Sequence, residues 1–295
     1  MKRLFFQHYL SRSISAFMMA LLALHFASAQ TAKTLTAQQI DKSVIANLTK
    51  KHDIKPKVII HMDLTAQFAT ASQWTLVAVQ DISHPKSDMD FDELHQIFIC
   101  LVKAATPDCI KDFYPFTQND HVIYEQPYHL FANDVVYAGQ NKSNPLLMLQ
   151  MCGELGGNGN CGVVTALYRY DKALDRFNRI FMNQTGRNQN ESTRLVESGP
   201  LQGDVIENIP TDNAPYRYWV TVYRAGKDGN YAQILRYRSI TAYGDLNPLA
   251  VIDSDMPEIL HRLGLWKPGD ALPPPPHLPH VCHNLYMRNG EEWCK

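Results

Sequence analysis

Apolar residues recur along this chain at two different periods, and the switch between them lays out the elements. Ile40, Val44, Ile45 and Leu48 follow a helical spacing after Thr36, which forms a capping box with Gln39 three residues on. An amphipathic helix is therefore predicted from Thr36 to about His52, stopped by Lys55-Pro56, with its apolar stripe docked on the body of the protein. From Pro56 onward the period shortens. Runs rich in Val, Ile and aromatic residues fall at 58–62, 74–80, 96–102, 122–125 and 135–138, separated by clusters of Pro, Asp, Asn and Ser. These are predicted strands; helix competes only around 91–101, where an acidic start could cap it.

The densest stretch is 146–181, LLMLQMCGELGGNGNCGVVTALYRYDKALDRFNRIF. An apolar run ends at Cys152, a glycine-rich loop follows, and Cys161 opens a second run, which together predict a β-hairpin. Short strands are predicted at 194–197 and 205–209, then a second hairpin with strands 216–224 and 231–240 around the turn AGKDGN. The two hairpins share a texture. Val164-Thr165 leads to Tyr168-Arg169 as Val220-Thr221 leads to Tyr223-Arg224, an offset of 56 residues that would suit a degenerate repeat but that alternating strands also produce by coincidence. A last helix is signalled by Asp255 as cap, with Pro257 in its first turn, Ile259, Leu260 and Leu263 as its apolar side, and Gly264 as its stop. The expected fold is mainly antiparallel β, sandwich- or propeller-like, with an N-terminal amphipathic helix and a short C-terminal helix.

The N-terminus adds a compartment. Lys2, Arg3 and Arg12 precede an apolar core at 16–24, and Ala27-Ser28-Ala29 offers a small-residue cleavage site. A signal peptide over 1–29 is expected, then a helical segment 30–56, a β-rich domain 57–266 and a Pro-rich tail 267–295. Losing the three basic residues of the leader moves the formal net charge from −1 to −4. A mildly acidic chain without a basic run speaks against nucleic acid as a partner. After the leader, no apolar run is long enough to cross a membrane. The expected address is periplasmic or secreted.

Six cysteines, Cys100, Cys109, Cys152, Cys161, Cys282 and Cys294, all lie beyond the leader. Six thiols allow about fifteen pairings, and their clustering makes 100–109, 152–161 and 282–294 the simplest set. A cysteine metal site lacks any C-x-x-C spacing.

Chemistry is harder to find. The chain has no G-x-S-x-G elbow, H-E-x-x-H, Walker loop or dinucleotide fingerprint. The glycines between Gly153 and Gly162 suit a tight turn better than an anion nest. Asp88, Asp90 and Asp92 open like a calcium loop, but Glu93 replaces its glycine and Ile99 its last ligand. His277, His280 and His283 would stand about 9 Å apart along a polyproline segment, poorly placed for one metal. Asp120-His121 and Ser198 are isolated candidates for acid–base or nucleophilic roles. No cofactor is expected. The most unusual feature is a Tyr/Arg series. Tyr168, Arg169, Arg217, Trp219, Tyr223 and Arg236 are the candidate ligand-binding residues, forming a surface if both hairpins share one sheet.

The strings GGNGNCG, SGPLQGD and DNAPYRYWVTVYR, spread over roughly 145–265, resemble those of exported bacterial (proteobacterial-type) proteins without a characterised function. The resemblance implies a bacterial periplasmic address and implies no catalytic residue. The expected function is a non-catalytic module that binds an envelope glycan or another envelope protein. A hydrolase of envelope material, with a dispersed Asp/Glu/His site, is the alternative.

Overall fold

Thr36 caps the first helix as its sequence predicts. Its side chain accepts from the Gln39 amide, the Gln39 side chain accepts from the Thr36 amide, and α1 runs Ala37–Lys51 with Ile40, Val44 and Leu48 buried. The computed structural model describes residues 34–83, 95–118, 121–155, 161–185, 191–211, 217–240, 248–271, 285–288 and 291–294. The chain divides into Met1–Leu35 and Thr36–Lys295, and all elements below belong to the second unit.

Three antiparallel sheets follow, each a meander in which every strand pairs with its sequence neighbour. The first holds β1 (Pro56–Asp63), β2 (Trp74–Asp81), β3 (Ile97–Lys103) and β4 (Thr106–Cys109), with the one-turn helix α2 (Thr65–Phe68) between β1 and β2. The hairpin β5 (Tyr114–Gln118) and β6 (His121–Glu125) stands between the first and second sheets in sequence. The second sheet is β7 (His129–Gly139), β8 (Ser143–Leu155), β9 (Cys161–Asp171) and β10 (Arg176–Thr185). The third is β11 (Ser192–Leu195), β12 (Val205–Pro210), β13 (Tyr218–Ala225) and β14 (Tyr231–Arg238). Helix α3 (Pro248–Arg262) and the short pair β15 (Leu285–Arg288) and β16 (Glu291–Cys294) complete the described elements.

Strand alternation explains how these sheets stack. Leu147, Leu149 and Met151 of β8 pack on Leu76, Ile99 and Leu101 of the first sheet. The intervening Leu146 and Met148 point the other way, into a cluster with Leu167, Phe181 and the third sheet's Leu195 and Val205. The run 146–149 is thus continuously apolar because the second sheet is buried on both faces. The third sheet turns Ile206, Val220 and Val222 onto Val251, Ile252 and Ile259 of α3. At the opposite end α1 lies against the first sheet, where His52 packs its ring 5.0 Å from Phe98.

Two sequence expectations need correction. Helix α3 begins at Pro248, seven residues ahead of its expected cap, and Pro257 lies inside it. Asp255 is no cap but a buried acceptor for the Tyr237 hydroxyl at 3.0 Å. Val251, Ile252, Met256, Ile259 and Leu260 bury one continuous stripe, and that burial outweighs the cost of Pro257 inside the helix. The two Tyr/Arg hairpins also lie in different sheets, not one. Their matching segments occupy equivalent places nonetheless, since β9 and β13 are each the third strand of a meander.

Cys100 and Cys109 face each other in register on β3 and β4 and are disulfide-bonded. The Ile110 amide donates to the Ile99 carbonyl at 2.9 Å, which makes this a non-hydrogen-bonded pair, where side chains approach most closely. Cys152 is disulfide-bonded, and the side chains of Cys161, Cys282 and Cys294, and with them the expected 152–161 and 282–294 pairings, lie outside the described residues. Removing the short loop constraint with a Cys100→Ala/Cys109→Ala variant should cost about 2–3 kcal/mol, read as a lower denaturant midpoint. Wild type under reductant should shift by more, because the Cys152 disulfide is lost as well.

Candidate functional site

The six Tyr/Arg candidates occupy several places. Tyr168 is a core residue, 4% exposed, packed toward the first sheet, so it presents nothing to a ligand. Burial pushes its phenol well above the usual range. Arg217 is exposed just before β13, and its carbonyl accepts from the Thr211 amide and hydroxyl. Trp219 is 38% exposed and carries the Arg236 guanidinium 4.9 Å above its ring. Tyr223 shares their face but is covered by the second sheet, edge-on to Phe181 at 5.3 Å. Its hydroxyl donates to Glu207 at 3.0 Å, and burial, with Glu207 next, pushes its phenol up to about 12. Asn183 also hydrogen-bonds Glu207, so this buried carboxylate is held by neutral donors between the two sheets.

Arg169 lies elsewhere and lines a concavity of its own. A cleft of about 640 Å³ opens where the connections of the three sheets converge. Its apolar floor includes Phe68, Leu146, Ile180 and Tyr231. Among the described residues its charged lining is Arg169, Lys172, Arg224 and Lys227 against a single carboxylate, Asp204. That carboxylate is already engaged. Arg224 donates through Nε and Nη2 to its two oxygens at 2.8 and 2.7 Å. Burial pushes the Asp204 carboxyl up, and the Arg224 fork offsets this only in part. The Tyr231 hydroxyl donates to the Gly203 carbonyl at 2.7 Å and closes the wall behind Asp204.

Arg169 is held by the neighbouring sheet. Its Nη2 donates to the Asp228 backbone oxygen at 3.0 Å, in the turn between β13 and β14. Gly229 of that turn has φ +80°, and a Cβ there would sit 1.4 Å from Arg169 Nη1. Glycine therefore serves twice, supplying the left-handed backbone and leaving space for a guanidinium. Asp228 turns its own carboxylate to Asn230 Nδ2 at 2.8 Å.

A carboxylate in the β9–β10 turn sets the first two sheets against each other beside this cleft. Asp175 accepts from Ser72 Oγ at 2.5 Å, Trp74 Nε1 at 2.9 Å and the Tyr170 hydroxyl at 2.6 Å. Lys103 approaches it at 2.7 Å. Tyr170 itself lines the cleft, two residues before Lys172 and five before Asp175. Burial opposes ionisation of Asp175, but donors from Lys103, Ser72, Tyr170 and Trp74 outweigh it and hold the carboxyl far below the usual range.

Sequence reasoning singled out Arg169 but missed Lys172, Asp204, Arg224, Lys227 and Tyr231 as site residues. The signals were present in SGPLQGD, which carries Gly203-Asp204, and in the turn AGKDGN, which carries Lys227. Asp88, Asp90, Asp92, Glu93, Asp120 and His277, His280 and His283 lie outside the described residues, as does the His121 side chain. Among the described residues no group of three His, Cys, Asp or Glu side chains is placed to hold a metal ion. No described helix is long and apolar enough to cross a membrane, which leaves β-barrels unaddressed. Comparison with protein-family models, with curated proteins and with solved structures finds no match to this chain.

Proposed function

We propose that the protein is an exported, disulfide-stabilised binding module of the cell envelope, that it is not itself a catalyst, and that the cleft beside Arg169 receives an anionic ligand. The carrying observation is the charge inventory of that cleft: four cations face one carboxylate, which Arg224 already neutralises. Its volume lies within the range of small-ligand sites. Hydrolysis by paired carboxylates would require a second acid across the cleft, and Asp204 is the one carboxylate in the described lining. That supports binding over the hydrolase alternative. The exported address rests on the leader sequence and the cysteine pattern.

The test is retention of the protein on immobilised polygalacturonate and polyglutamate at low salt. An Arg169→Glu variant with an unchanged melting temperature should bind about 100-fold more weakly, because a like charge replaces an attractive one. Equal retention of wild type and variant would move the site away from this cleft. Release of shortened polymer would establish the hydrolase instead.

A further inference from the structure

The cleft's cations are not equivalent, and their differences narrow the ligand. Arg224 has spent its side-on fork on Asp204. Among the described residues no carboxylate forms an ion pair with Arg169, Lys172 or Lys227, although the Asp228 carboxylate lies near enough to interact with Arg169. We infer that the ligand presents a phosphomonoester on a polar body about the size of one or two sugar rings. This rests on the proposal that the cleft is the binding site, and it names the ligand class.

Three observations lead there. Three positive charges, one of them partly offset by Asp228, favour a group carrying about two negative charges, as a phosphomonoester does near neutral pH, over a single carboxylate. Arg169 is positioned in advance by the Asp228 carbonyl and the space above Gly229, so little side-chain freedom is lost when it meets an oxyanion. The remaining polar lining is uncharged. Gln67, Asn144 and Gln202 carry amides that both donate and accept, which is what hydroxyl groups require. A free phosphate would use the cations and leave those amides and most of the 640 Å³ unfilled.

Two other places fall short of this. The buried Glu207 between the second and third sheets is fully engaged by Asn183 and Tyr223. The buried Arg194 has Nε and Nη2 without partners, but these atoms are closed off, so no ligand reaches them without rearrangement.

Calorimetric titration of the full protein with glucose 6-phosphate, inorganic phosphate, glucuronate and glucose tests the inference. Glucose 6-phosphate should bind about tenfold more tightly than either glucuronate or inorganic phosphate, with no measurable glucose binding. A Lys172→Ala/Lys227→Ala variant should lose about tenfold in affinity for glucose 6-phosphate at unchanged melting temperature, since both residues are exposed turn positions. Glucose 6-phosphate affinity unmoved by that variant would overturn the inference. So would inorganic phosphate binding as tightly as the sugar phosphate, which would remove the sugar-sized body. Tighter, Arg169-dependent binding of oligogalacturonate would overturn the phosphomonoester and leave the anionic cleft standing. Absence of binding by every anion would overturn both.

Discussion

Replacing Asp175 with alanine is expected to cost about 3–5 kcal/mol, the range for removing one partner of a buried charged network. The loss should come mainly from the neutral donors. Trp74 and Tyr170 are buried, and without the carboxylate Trp74 Nε1 and the Tyr170 hydroxyl lose their acceptor. Lys103 is 43% exposed against 19% for Asp175, so its contribution is screened by water. A Lys103→Met variant should therefore cost less than about 1 kcal/mol, and the two variants compared in urea separate the terms. Asp175 also governs acid stability. Its carboxyl is depressed in the folded protein, so its stabilisation is complete above the unfolded value near pH 3.9. It should then be lost progressively as pH falls below that value toward the depressed folded one. An Asp175→Asn variant keeps a side chain tolerant of the local φ of 46° but cannot ionise. Its stability should lack this component of the acid slope; an unchanged slope would assign acid sensitivity to other carboxylates.

A Gly203→Ala variant should lose about 3 kcal/mol, or roughly 6–12 °C in melting temperature for a domain this large. Two effects add at this position. Gly203 has φ +86°, where an L-residue costs about 1 kcal/mol, and a Cβ would meet the Ala138 carbonyl oxygen at 2.5 Å. That oxygen is backbone, so the strand end of the second sheet would have to move away from the third. Gly199 provides the control: it has φ +78° but nothing within 4 Å of the added carbon. Gly199→Ala should therefore show only the backbone cost of about 1 kcal/mol. Equal losses in the two variants would mean that the close approach of the sheets carries no energetic weight.

Much of the β content could be read locally, and particular elements show where this stopped. The capping box of Thr36 and Gln39 is complete within four residues, so α1 appears where expected. Strand β4 went unread because Thr106–Cys109 holds Pro107 and Asp108, residues that an edge strand tolerates and strand propensity counts against. The early start of α3 was hidden because its stripe gains stability only against Ile206, Val220 and Val222 of another sheet. The site was less legible still. Arg169 meets Asp228 across 59 residues, and Asp175 meets Ser72 across 103, separations that no motif spans.

Strand periodicity was enough to indicate a mainly antiparallel β fold, because alternation along a strand is a local property. Helix and turn signals needed only neighbouring residues, because their hydrogen bonds close within a few positions. Which faces would meet was beyond them. Tyr168 and Tyr223 read alike in sequence, yet one fills the core between the first two sheets and the other stands half-buried against Phe181. Nor does the chain's near-neutral composition disclose a basic cleft. Charge concentrates there because tertiary packing brings Arg169, Arg224 and two turn lysines to the same place, while the one carboxylate of the described lining is spent on Arg224. Periodicity is set by bonds along the chain, but an electrostatic site depends on distances between sheets, and only folding sets those.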